Sequence, residues 1–462
     1  LNIKLSHYQL ALTSLLCLFF AIFVILNKDL IIDDAYITFQ YSRNFAEHLK
    51  PWYNLDAFYQ GNGQTSLLWM WILSVLNFFG LKSEHSFYIA NLIIGFFLIH
   101  QSVSLSLKEK KIAVKLFRIG FTLFFTYWLA LNSTHGLETV LATIVLFLFL
   151  KNWKKHNNPY SVFLILVRPE FGIFLLFWFL DSDFRQTRQI IAKLIYSSAG
   201  VVIFALFYLI FYDFYIPLPF ILKSSFSTYT LPYIIVFLGR VLVFSPVIFS
   251  LILKRRFLFL APLLFFLFFY SFNINSYSSG IYIRYFFPLM VYFLFADFNI
   301  NFDNRYTKTF HIIFFILFTG SLLRMIDLGS NFYQNKKDVI IDNKGFITGY
   351  GELAKKLKKT DKVLIMDAGH VAYFSSATVY DGYGLNDATM LLTRKNKDSS
   401  GYKNYVDERK INIISVVSKD SARFDPRIDS DFTYKSLNLH NKKLLYRFPL
   451  DHSFYLFVYQ YH

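Results

Sequence analysis

The chain has 462 residues, of which 55% are hydrophobic, 21% aromatic and only 17% charged, and its formal charge is +17. The apolar excess falls in long runs, which excludes an ordinary soluble domain. The basic residues fall in short clusters between those runs, at Lys108–Lys111, Lys151–Lys155 and Lys254–Arg256, which is the pattern of membrane-protein loops and not of a nucleic-acid surface.

The first run, Tyr8 to Leu26, carries no charge. It matches the roughly 20 apolar helical residues that a hydrocarbon core of about 30 Å demands. Asn27-Lys28-Asp29 follows, without the small residues of a signal-peptide cleavage site, so the run reads as an uncleaved anchor. Cys17 lies within it and, as the single cysteine, excludes an intramolecular disulfide.

A first loop, 29–64, opens with Asp33-Asp34-Ala35-Tyr36-Ile37. Apolar or aromatic side chains at 35, 36, 39, 45 and 46 recur near helical spacing, predicting a short amphipathic helix lying on the membrane with both carboxylates at its N-terminus. Asp33 or Asp34 then caps that helix and favours its dipole. A partly desolvated carboxylate at the lipid boundary equally suits a general base acting on a hydroxyl. The pair also suits a divalent cation, magnesium or manganese, with lipid phosphate and water completing its shell. Trp52, Tyr53 and Trp69 read either as an interfacial aromatic belt or as surfaces for sugar or lipid.

Further apolar runs cover about 65–80, 86–107, 112–131, 137–150, 160–180, 190–212, 232–253, 257–272, 281–297 and 310–326, giving roughly eleven candidates with the first. The run 65–80 is short, and 160–180 is interrupted by Arg168-Pro169-Glu170, which cannot continue a lipid-facing helix without a protein or water partner. With both re-entrant, about nine crossings remain and the basic clusters face the cytoplasm. The loops 29–64 and 213–231 and everything after about 327 then lie outside. Arg168 and Glu170 pair or face a cavity, and Glu138 opens an apolar run as a cap. Lys223, Arg240 and Arg284 are boundary cations that snorkel to headgroups or together hold an anionic phosphate.

The 11 histidines are scattered without metal-ligand spacing, and no Gly-rich phosphate loop precedes a helix, which disfavours a nucleotide-dependent enzyme. From Asp327 to His462 the apolar runs shrink to strand length, as in Val363–Met366, Ile411–Val417 and Phe454–Val458, between charged helical stretches such as Glu352–Lys359. The expected organisation is a transmembrane domain over 1–326 and a soluble α/β domain over 327–462.

An ordered set of motifs resembles the GT-C glycosyltransferase superfamily, and within it the bacterial branch that includes mycobacterial arabinofuranosyltransferase-type proteins. Asp33-Asp34-Ala35-Tyr36-Ile37-Thr38-Phe39 with Arg43-Asn44 looks like the first-loop motif. Asn54 and Gly63-Gln64-Thr65-Ser66-Leu67-Leu68-Trp69 look like its loop ending. Gly136-Leu137-Glu138-Thr139, Arg168-Pro169-Glu170, Asp367-Ala368-Gly369 and Asp381-Gly382-Tyr383-Gly384-Leu385-Asn386-Asp387 follow in family order. Departures are Gln40 for the usual Arg, Gln64 and Leu67 for Tyr and Pro, and Pro217-Leu218-Pro219 near the usual Pro-Asn-Thr.

The resemblance implies a polytopic α-helical GT-C fold of about 9–11 transmembrane helices with a C-terminal extracytoplasmic α/β domain. It implies sugar transfer, with inversion, at the outer face of a bacterial plasma membrane, from a polyprenyl-phosphate donor to a hydroxyl on a cell-envelope glycan, lipid or protein. Asp33 is then the base and Asp34 orients the acceptor or binds a cation. Lys223, Arg284 and Arg168 hold the donor phosphate, and Glu138, Glu170, Tyr36, Asn54, Trp69, Asp367 and Asn386 complete the site. Two rivals are a transporter or flippase of lipid-linked sugars, which Arg168 and Glu170 suit, and a non-catalytic subunit in which the acidic pair only caps a helix.

Overall fold

The structure, a computed structural model, describes residues 2–28, 30–55, 61–183, 185–213, 217–223, 231–272, 283–296, 316, 319–320, 348–367, 369–450 and 454–462. Its α-helices as far as Phe272 are, in chain order, α1 (Asn2–Leu26), α2 (Asp33–His48), α3 (Leu67–Phe78), α4 (Ser83–Leu107), α5 (Ile112–Thr134), α6 (Thr139–Lys151), α7 (Ser161–Val167), α8 (Gly172–Leu180), α9 (Thr187–Phe211), α10 (Leu218–Lys223), α11 (Leu231–Leu253) and α12 (Phe257–Phe272). The chain forms two units, each drawn from separated stretches: 1–28, 88–202 and 225–336, and then 29–87, 203–224 and 337–462. This departs from the boundary expected at 326, because the first loop folds with the C-terminal residues.

In the first unit the apolar runs become helices. Among the described residues four helical segments, His7–Leu26, Ser83–Leu107, Val114–Thr134 and Thr187–Phe211, are long and apolar enough to cross a membrane. Leu15, Leu18, Ile22 and Ile25 on α1 and Ile191, Leu194, Leu206 and Leu209 on α9 are exposed, as lipid-facing side chains are. Aromatic stacking fills the interior, with Phe121 on Phe293 at 4.7 Å and Phe125 on Phe287 at 5.2 Å. The run 160–180 does break where expected. Proline disfavours helical backbone in the residue before it; Arg168 is extended, and Pro169–Phe171 restart the chain as a 3-10 turn before α8. The run 281–297 tightens to a 3-10 helix at Phe287–Val291 between two short helices, and 310–326 falls almost wholly outside the described residues.

In the second unit α2 does not lie on a membrane surface. Every residue from Ala35 to Ser42 is buried, because α2 packs on α3 and on the helix Gly369–Phe374. Ser66 starts α3 by accepting from the Trp69 N–H, and α2 ends at Leu49, which adopts a left-handed conformation. The C-terminal part is a five-stranded sheet of β1 (Lys362–Ile365), β2 (Thr378–Asp381), β3 (Ile413–Ser418), β4 (Lys443–Pro449) and β5 (Tyr455–Gln460), ordered β2-β1-β3-β5-β4. β1 is parallel to β2 and β3, whereas β5 is antiparallel to β3 and β4. β3, central in this sheet, is buried along its whole length, and helices over 388–395, 399–408 and 428–436 cover its core of Leu364, Met390, Tyr402, Ile414, Val416 and Phe457.

Candidate functional site

Asp33 does not cap its own helix. Ile32 occupies the cap position of α2, and no side chain bonds there. The Asp33 carboxylate instead accepts from the backbone N–H groups of Gly369 (3.0 Å to Oδ2) and His370 (2.8 Å to Oδ1), the first turn of the helix that follows β1. A side chain at Gly369 would overlap the backbone carbonyl of Asp33, so the approach depends on glycine. Burial and then the charge of Asp367 push the Asp33 carboxyl up to about 7, against the pull of the two N–H donors. Asp34, the next residue, is exposed.

Asp367 is held in turn by the Tyr350 hydroxyl, which donates to Oδ2 at 2.9 Å, and by Arg427, 3.5 Å from Oδ1. Tyr36 packs edge-on against the His370 ring at 5.1 Å and against Phe374. Burial among these rings lowers the His370 pKa to about 4 and keeps the imidazole neutral. Neither Tyr350, His370 nor Arg427 was singled out by sequence; only the nearby Asp367-Ala368-Gly369 signalled the segment.

The rest of the loop is tied down by its polar groups. Asn44 donates to the carbonyls of Trp52 and Tyr53, and Gln40 joins Arg43 to the Tyr53 carbonyl. The Tyr41 hydroxyl donates to the Gly61 carbonyl at 3.1 Å and accepts from the Gly63 N–H at 2.9 Å. Trp52 and Tyr212 bond the Phe211 and Pro51 carbonyls respectively. Tyr53 and Trp69 are buried, Trp69 completely, so both belong to the packing of the loop and not to a sugar-stacking surface. Asn54 lies in the same loop and is partly buried.

At the end of β2 the Asp381 carboxylate accepts from the N–H groups of Tyr383, Gly384 and Asn386 and from the Asn386 amide. Burial still raises it to about 6. Asn386 thus secures a turn, and Gly63 passes so close that a Cβ there would overlap the Asn386 side chain. Lys223 ends α10, and its side chain lies outside the described residues.

The first unit holds a separate polar cluster. Arg168 donates to Glu138 at 2.7 Å and to Glu170 at 3.0 Å, and the Tyr270 hydroxyl donates to Glu170 at 2.9 Å. Glu138 therefore neutralises Arg168 in addition to starting α6. Arg168 Nη1 and Nη2 each donate to a carboxylate, and the three side chains together carry a formal charge of −1. Arg284 lies over the Tyr285 ring at 4.9 Å and donates to its hydroxyl at 2.9 Å. Arg168 sits over that same ring at 4.8 Å, and Arg240 lies 3.8 Å from the Phe286 centroid while donating to the Tyr270 carbonyl and Ser271.

No group of three or more His, Cys, Asp or Glu suited to a metal ion occurs among the described residues.

The sequence profile of a family described as a domain of unknown function, DUF8728, matches residues 346–457. No curated protein matches the chain. Two solved structures of ArnT from Cupriavidus metallidurans are similar over nearly its whole length. The one bound to undecaprenyl phosphate gives a TM-score of 0.54 at 12% identity, covering 96% of this chain and 97% of its own. The apo structure gives 0.52 at 13%, covering 98% of each. Similarity at such low identity over both chains establishes shared architecture: the chain has the fold of these ArnT structures, with apolar helices long enough to cross a membrane and a C-terminal α/β domain.

Proposed function

We propose that the chain is a glycosyltransferase of the bacterial plasma membrane that moves a sugar from a polyprenyl-phosphate donor to a hydroxyl on a cell-envelope glycan, lipid or protein. The observation that carries this reading is Asp33: a carboxylate fixed by two backbone donors and raised to about 7, so that it is available as a base near neutral pH. The likeness of fold to a protein solved with undecaprenyl phosphate supports the donor class.

In this scheme Asp33 takes the acceptor hydroxyl proton as the acceptor oxygen forms a bond to the anomeric carbon. The bond from that carbon to the phosphate oxygen breaks, and the lipid phosphate leaves with the electron pair. A single displacement inverts the anomeric centre. Asp34, exposed beside the base, orients the acceptor. A cation stabilises the departing phosphate, and Lys223 is the candidate for it. No step is routed through a metal ion.

The test uses membranes with matched expression, labelled undecaprenyl-phosphate-linked pentoses and hexoses as donors, and the membranes' own acceptors. Asp33→Asn loses transfer by about a hundredfold or more, and Asp34→Asn raises KM. Full activity in both variants overturns the reading. Movement of the labelled lipid across vesicles without transfer points instead to a flippase.

A further inference from the structure

We propose that Asp367, clamped between Tyr350 and Arg427 just beyond β1, is a positioning residue for Asp33, so that the C-terminal domain is a working part of the transfer site. This rests on the reading of Asp33 as the base.

The sheet explains why this place serves. β1 has β2 on one side and β3 on the other, both parallel to it. The crevice at the carboxyl ends of strands at such a reversal is where open α/β sheets take their ligands. Here the chain's own Asp33 fills it, bonded to the two N–H groups that open the next helix. Asp367 stands two residues before the first of those donors. Its carboxylate oxygens are fixed from different elements, Oδ2 by Tyr350 on the helical stretch 348–356 and Oδ1 by Arg427, which follows β3.

A purely structural arrangement has little use for this second carboxylate. The helix Gly369–Phe374 has six residues, and its leading N–H groups are already met by Asp33. A second negative charge beside the first opposes ionisation of both. The groups that face Asp33 are Asp34 on its own helix, Asp367, the Gly369 and His370 N–H donors, and the phenols of Tyr53 and Tyr350. α3, packed against α2, carries no charged residue. The N–H donors favour the carboxylate, whereas burial and Asp367 favour its protonated form. Arg427 offsets the charge of Asp367 and thereby limits how far it acts. The balance leaves Asp33 basic enough to accept a proton yet ionised near neutrality.

The experiment is the pH profile of transfer by the full-length chain in membranes, from undecaprenyl-phosphate-linked pentoses and hexoses. Asp367→Asn moves the acid limb to lower pH by about one unit and lowers the rate on the plateau, because the base is weaker. Arg427→Gln leaves Asp367 uncompensated and moves the limb to higher pH. Asp367→Glu keeps the charge and restores the limb. A merely structural role lowers the amount of folded protein in all three and leaves the limb in place, which overturns the proposal. If Asp367→Asn does not accumulate, the upward shift in Arg427→Gln decides by itself. Asp33→Asn separates the two readings. Transfer surviving in that variant refutes the base, whereas transfer lost there with an unmoved limb in Asp367→Asn and Arg427→Gln refutes the positioning role alone.

Discussion

Replacing Arg168 by Met removes the one cation that Glu138 and Glu170 share. The pair bonds measure 2.7 and 3.0 Å, and the three side chains are 3%, 10% and 13% exposed for Arg168, Glu138 and Glu170, so water screens them poorly. Deleting the guanidinium leaves two buried carboxylates uncompensated, at a cost of about 3–5 kcal/mol. In the thermal unfolding of the purified chain in detergent, followed by tryptophan fluorescence, that corresponds to a drop in Tm of about 3–5 °C. Glu138→Gln removes the excess negative charge and keeps the Arg168–Glu170 pair, so its loss is smaller, about 1–2 kcal/mol. Replacing all three by Met or Leu of similar volume recovers most of the stability, because no lone charge stays buried; the remaining loss is the Tyr270 hydroxyl, deprived of its acceptor. Wild-type stability in Arg168→Met, or a triple variant as unstable as the single one, refutes the claim that uncompensated charge holds this cluster together.

Asp33 gives a second check that needs no substrate. Its carboxyl titrates near 7 when folded against an ordinary value of 3.8, so in that window the folded chain holds more protons than the unfolded one. Stability therefore falls as pH rises from about 4 to about 7, by at most about 4 kcal/mol, and is level above that. Asp33→Asn removes this contribution, so its Tm gains on the wild type across the window; parallel curves refute it. Gly369→Ala drives a Cβ against the Asp33 carbonyl and displaces the helix start. The loss of two charge-assisted bonds amounts to about 2–4 kcal/mol, and hydrogen exchange of the His370 amide speeds up; unchanged protection refutes it. Gly63→Ala destabilises through its overlap with Asn386, and in an Asn386→Ala background the same change is milder by about 1 kcal/mol. Additive unfolding free energies in that double-mutant cycle refute the contact.

Periodicity and run length carried much of the architecture. The apolar runs became helices, and the break at Arg168-Pro169-Glu170 was visible because proline restricts the residue before it. β1, β3 and β5 are short apolar runs, whereas Lys443–Pro449, an edge strand only partly buried, is interrupted by Lys443 and Arg447 and gives a weaker signal. The acidic pair was legible as a feature but not as a site. A helix start rich in Asp reads as a cap in any sequence, and only a fold that brings residue 369 to residue 33 shows that the carboxylate serves another helix. Arg427 and Tyr350 left no local signal at all, since their partner Asp367 is remote from one in sequence and from both in secondary structure. The pairing of Arg168 with Glu170 is legible from their adjacency, whereas its bond to Glu138, thirty residues earlier, is shown only by the fold.

The interleaving of the first loop with the C-terminal domain follows from what a base on a loop requires. The described residues between 49 and 66 form no helix or strand, so their backbone groups need partners, and several of those come from side chains distant in sequence. Tyr41 holds both Gly61 and Gly63, Tyr212 holds Pro51, and the Asn62 carbonyl accepts the Leu218 N–H. α2 supplies aromatic faces that the 369–374 helix covers, and Arg43 reaches the Tyr373 carbonyl at 2.8 Å. Asp33 is therefore located by packing on one side and by two N–H groups on the other, with no long flexible side chain between it and the frame. A carboxylate held to that tolerance can be tuned by a single neighbour such as Asp367, whereas one on a mobile loop would average the neighbour's field away.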